Sequence, residues 1–105
     1  MIVKNIYNDV PSQLNDELFE EIISNDKFIL ERIISEGQAT PENFWYDQDK
    51  NEFVLLLSGS AEISFEDEPT VLMKAGDYII IPPHKKHRVA KTNSDKKTFW
   101  IALHF

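Results

Sequence analysis

The chain has 105 residues, 18 Asp+Glu against 11 Lys+Arg for a net charge of −7, and no cysteine. An acidic unit of this length is one domain and a poor electrostatic partner for nucleic-acid phosphates or anionic lipid. Without cysteine there is no disulfide, thiolate nucleophile or Cys-ligated metal; with no apolar core of a signal peptide in residues 1–10 and no stretch of membrane-spanning length, a cytoplasmic location and no membrane partner are expected.

Residues 2–7 read as a short strand. Leu14, Leu18 and Ile22 then recur every four residues, with Asp16 and Glu17 early, which predicts a short amphipathic N-terminal helix. From Lys27 onward the pattern is β. Residues 28–35 and 53–57 are apolar runs, and Ala61, Ile63 and Phe65 alternate with Glu62, Ser64 and Glu66, giving one buried and one wet face. The acidic Glu66-Asp67-Glu68-Pro69 breaks to residues 70–73, and Lys74-Ala75-Gly76-Asp77 predicts a type II turn with Gly76 at the position needing positive φ. Residues 78–81 form an apolar strand ended by Pro82-Pro83; residues 87–92 and 98–105 form the last hairpin. Many short strands between regular turns favour an all-β barrel or sandwich, with residues 1–26 as an extension and the barrel from about 27 to 105.

Two spacings choose among all-β folds. Glu52 precedes Gly59 as E-x6-G, and Gly76, Pro82 and His87 stand as G-x5-P-x4-H. These resemble the two signature motifs of the cupin superfamily, over roughly residues 28–105. The resemblance implies a single-domain cupin, a jelly-roll or double-stranded β-helix barrel around one metal or ligand site. The first motif is partial: the family's two early histidines fall on Tyr46 and Gln48, or on Trp45 and Asp47, depending on the gap. In the second motif His84 and Lys91 replace the usual Gly and Asn.

The resemblance makes Glu52 the carboxylate ligand and His87 the late histidine ligand. Residues i and i+2 of a strand point the same way, so only one early pair faces the interior. One register gives Gln48, Glu52 and His87, with Tyr46 as an outer ligand or donor. The other gives Asp47, Glu52 and His87, a better set for Mn, Fe, Zn or Ni. The bland alternative makes Glu52 a solvated edge residue and residues 47–51 a polar turn.

His104 is in phase with Trp100 and Ala102, opposite Phe99, Ile101, Leu103 and Phe105. If the Trp100 face lines the barrel, His104 becomes a proton donor or general base; a satisfied or surface histidine is the preferred reading. Tyr46 is the other catalytic candidate. Trp45, Tyr46, Trp100 and His104 form the expected ligand pocket, although the Phe44-Trp45-Tyr46 cluster is read first as core. Arg32 either binds an anionic substrate inside the barrel or, preferably, pairs with a surface acid. His84 is read as a solvent-side loop residue and residues 84–88 as a basic lip too small for nucleic acid.

The expected function is therefore a small-molecule-binding cupin barrel with a divalent-metal site. A metal-dependent dioxygenase, isomerase or lyase is the alternative, and a metal-free structural barrel the third. A homodimer is what the resemblance implies, with Ile2, Val3 and Ile6 offering an intermolecular strand.

Overall fold

A computed structural model describes residues 1–105. Eight strands run in chain order: β1 (Leu18–Ser24), β2 (Ile29–Ser35), β3 (Glu52–Ser58), β4 (Ser60–Phe65), β5 (Val71–Lys74), β6 (Tyr78–Ile81), β7 (His87–Thr92) and β8 (Thr98–His104). They form a five-stranded sheet, β1-β2-β8-β3-β6, and a three-stranded sheet, β5-β4-β7, with every pairing antiparallel. The facing sides share a core that includes Ile33, Val54, Leu56, Ile63, Ile81 and Trp100.

The expected N-terminal helix is absent. Its segment supplies the edge strand β1, in which Leu18 opposes Ile34 and Glu20 opposes Arg32. The four-residue spacing of Leu14, Leu18 and Ile22 is not a helical stripe, because Ile22 is exposed at a register shift between Glu21 and Ile23. A tertiary contact overrides the local pattern: the Arg32 side chain is 9% exposed and pairs with Glu20. It also donates to the carbonyls of Ile6 (3.0 Å), Asn8 (2.6 Å) and Asp9 (3.3 Å). Arg32 thus pairs with a part-exposed surface acid, as the preferred reading had it, rather than anchoring an anion inside the barrel, while its own side chain is buried. It clamps the N-terminal segment against the outer side of the sheet, where Tyr7 meets Phe99 edge-on at 5.2 Å. Residues 2–7 form no strand, and Ile2 and Val3 are exposed.

Gly76 has φ +94°, and the turn is closed by Asp77 N–H donating to the Lys74 carbonyl at 3.0 Å. Gly59 has φ +96° at the β3–β4 corner, where it lies against Thr98. No helix is long and apolar enough to cross a membrane.

Candidate functional site

Side-chain alternation on the larger sheet decides what faces inward. Along β3, Glu52, Val54 and Leu56 are buried between the sheets, while Phe53 and Leu55 point out. In register with them, β8 sends Trp100, Ala102 and His104 inward, and β2 sends Glu31, Ile33 and Ser35. A cavity of about 160 Å³ results. One water requires about 10–15 Å³ by this measure, so the space suits a small organic molecule or several waters.

The expected site residues divide cleanly. Tyr46 is tied to the barrel by a bridge to His87: its N–H donates to the His87 carbonyl at 2.8 Å, and the return bond is 3.2 Å. That bridge turns Tyr46 and Gln48 to the cavity. Asp47, next in sequence, points away and pairs with His84 on the outside at 2.8 Å. Trp45 is half-buried and does not line the cavity. Trp45 and Asp47 therefore lie away from the cavity, and Gln48, Glu52, His87, Tyr46, Trp100 and His104 stand together around it. Glu52 is 8% exposed, which removes the reading of a solvated edge residue. His84 adopts φ +62°, the left-handed conformation for which the motif's usual glycine is suited.

Polar groups at one end of the cavity form a continuous chain. His104 Nε2 donates to Glu31 Oε1 at 2.8 Å, and His104 Nδ1 donates to Gln48 Oε1 at 3.1 Å. Gln48 Nε2 donates to Glu52 Oε1 at 3.3 Å, and His87 Nε2 lies 3.5 Å from that same oxygen. Because both partners of His104 are oxygen acceptors, its ring is held as an imidazolium. The Glu31 bond raises its pKa above the ordinary 6.5, burial opposes this, and the Glu52 and Glu31 charges add to the rise.

His87 differs. Its Nδ1–H donates to the Lys85 carbonyl at 2.7 Å, because a carbonyl can only accept. In the neutral ring Nε2 is then a bare lone pair aimed at a carboxylate oxygen. Two acceptors face one another, and a positive species between them or on the ring resolves the opposition. A proton is one solution: burial lowers the His87 pKa, but the Glu52 bond, the Lys85 carbonyl and the Glu52 charge together raise it above 6.5. A divalent cation is the other. No group of three or more His, Asp or Glu side chains converges here to hold one; the donors at hand are one imidazole whose second nitrogen is fixed on a backbone carbonyl, one carboxylate and the Gln48 carboxamide.

Sequence reasoning missed two acids. Glu31 had a visible signal, since it shares the inward phase of Ile33 in an apolar strand. Glu17 had none: it lies just before β1 and accepts a hydrogen bond from Ser35 Oγ, which itself accepts one from Trp100 Nε1–H at 3.3 Å. Burial raises the Glu17 pKa and the Ser35 bond partly opposes it. Burial, with the charges of Glu17 and Glu52, raises that of Tyr46.

A family model described as "Cupin domain" matches residues 31–104. The chain is a cupin. At 40% identity, this cupin resembles a protein from Ralstonia eutropha JMP134 named a putative mannose-6-phosphate isomerase, with a TM-score of 0.94 over 99% of this chain and 97% of that one. A cupin superfamily protein from Desulfitobacterium hafniense DCB-2 shares the fold at 16% identity, with a TM-score of 0.75 over 91% of this chain and 83% of that one. So does a cupin family protein with a double-stranded β-helix fold from Methanocaldococcus jannaschii, at 14% identity and a TM-score of 0.72 over 99% and 92% of the two chains. No curated protein matches this cupin.

Proposed function

We propose that this cupin is a small-molecule-binding barrel whose polar end holds a divalent cation (Mn, Fe, Zn or Ni) between His87 and Glu52, with Gln48 as the third donor. The observation that carries the reading is His87 Nε2 facing the Glu52 carboxylate at 3.5 Å while Nδ1 is turned to the Lys85 carbonyl. Such a cation, when bound, supplies Lewis acidity toward an oxygen-bearing ligand. The chain's own groups orient that ligand. Tyr46 stacks on His87 at 5.7 Å between ring centres and closes one wall. The His104 imidazolium, braced by Glu31, presents a proton beside Gln48.

That last arrangement also supports a second reading, a metal-dependent enzyme of isomerase type with His104 or Tyr46 moving the proton. The name of the 40%-identical relative agrees with it. A homodimer belongs to the same proposal: Tyr78 and Ile80 of edge strand β6 are more than half exposed beside Phe53, and sedimentation as a monomer at micromolar concentration would remove it.

Elemental analysis of protein purified without chelator tests the cation, alongside His87→Ala and Glu52→Gln. Near-stoichiometric metal in the parent, lost from both variants, is the expected result. A parent that stays metal-free after incubation with Mn, Fe, Ni and Zn sinks it.

A further inference from the structure

The cavity's charge inventory limits what it can accept, and this argument rests on the barrel being a binding site, as proposed above. Its walls carry three carboxylates, Glu17, Glu31 and Glu52. They carry no lysine or arginine. The nitrogen groups are Gln48, His87, His104 and the Trp100 indole, each already set against an acceptor. Arg32 is committed to Glu20 and three carbonyls on the outer side, and Lys85 to Asp67 and Glu68; Lys50 stands outside the cavity walls, where its charge reaches His104.

A bound divalent cation does not reverse the balance. Three carboxylates sum to −3, and the His104 imidazolium together with an added +2 brings the sum only to zero. A phosphate dianion entering this space meets no net positive charge and no free fork of donors, and its desolvation goes uncompensated. The rest of the wall is apolar. Ile33, Val54, Ile63, Ile79, Ile81 and Val89 form an aliphatic floor, flanked by the rings of Tyr46 and Trp100.

We infer that the ligand is a small, non-anionic molecule presenting O–H or N–H donors from a compact apolar body, and that phosphorylated molecules are refused. An acceptor-rich wall needs donors from its ligand. The inference separates this chain from the phosphorylated sugar in its relative's name.

The test is a titration followed by NMR on the two tryptophan indole N–H signals, with and without added Zn²⁺. Trp100 lines the cavity and reports binding there; Trp45 does not line it and serves as the internal control. The probes share one skeleton: isoamyl alcohol, isoamylamine and isoamyl phosphate. Expected is a saturable Trp100 shift with the alcohol or the amine, and a phosphate ester weaker by about tenfold or more, equivalent to about 1.4 kcal/mol. The tighter of the first two tells a neutral hydroxyl ligand from an ammonium one. A phosphate ester that binds as well as either overturns the inference while leaving a binding barrel. A Trp100 signal unmoved by all three overturns the ligand class, and the cation reading is then judged separately by elemental analysis.

Discussion

Replacing Gly59 with alanine sets two costs against one another, and Gly76 supplies the control. Both glycines have φ near +95°, where an L-residue is disfavoured by about 1–2 kcal/mol. At Gly76 an added Cβ meets nothing within 4 Å, so Gly76→Ala carries only that conformational cost. At Gly59 the same atom falls 2.3 Å from Thr98 Oγ1, 2.7 Å from Thr98 Cα and 2.8 Å from Thr98 Cβ. The hydroxyl can rotate away; Cα and Cβ of a central strand cannot. Overpacking of this kind costs about 1–3 kcal/mol, so Gly59→Ala totals about 2–5 kcal/mol. Urea unfolding of both variants, read as the midpoint at constant slope, measures the difference. Thr98→Ala in the Gly59→Ala background should restore little, because Cα remains. Equal losses at Gly59 and Gly76, or a full rescue by Thr98→Ala, would refute the reasoning.

Arg32→Met removes the donors to Ile6, Asn8 and Asp9 while keeping the aliphatic stem. A loss of about 1.5–3 kcal/mol is expected, with faster amide exchange and proteolysis in residues 5–9 but an unchanged Trp100 signal. His104 has a raised folded-state pKa, so its contribution to stability is complete below the unfolded value near 6.5 and is lost as pH rises through the higher folded value. Urea midpoints should fall across that window in the parent and change less in Glu31→Gln, which removes the largest cause of the shift. Glu17 is a carboxyl with a raised pKa, so stability is lost as pH climbs from 4.5 through its folded value. Glu17→Gln should therefore be neutral or stabilising at pH 7 and destabilising near pH 4, where the protonated acid fits; a loss at both pH values would contradict its burial as an acid.

The barrel was legible because its signals are local. Gly76, Pro82 and the alternating Ala61, Ile63 and Phe65 each mark a turn or a face from their own backbone preferences. The inward phase of β8 was narrowed to two choices by alternation, and only the partner strands decide between them. The early pair behaved the same way: Tyr46/Gln48 and Trp45/Asp47 are indistinguishable until the bridge from Tyr46 to His87, 41 residues on, sets the register. β1 failed for a different reason. Its stability comes from Glu20 meeting Arg32 and from the N-terminal carbonyls closing over that guanidinium, and a chain read residue by residue has no means of announcing an ion pair between strands. Glu17 was invisible on the same ground, since its partner Ser35 lies on another strand.

The strand order β1-β2-β8-β3-β6 sets an assembly schedule. β2 and β3 do not touch as neighbours; each pairs with β8, which follows both in the chain. During synthesis the smaller sheet, β5-β4-β7, has all its strands before Thr98–His104 emerges, whereas the larger one lacks its middle. Until then the β1–β2 and β3–β6 pairs each carry an open inner edge, and Trp100 is not yet present to fill the core. Closing β2 onto β8 joins residues about 70 apart, a loop-closure cost that local pairing does not carry. Ribosome-bound chains ending before β8 are thus the species most exposed to edge-to-edge association, and completion of that one strand converts two loose strand pairs into a barrel.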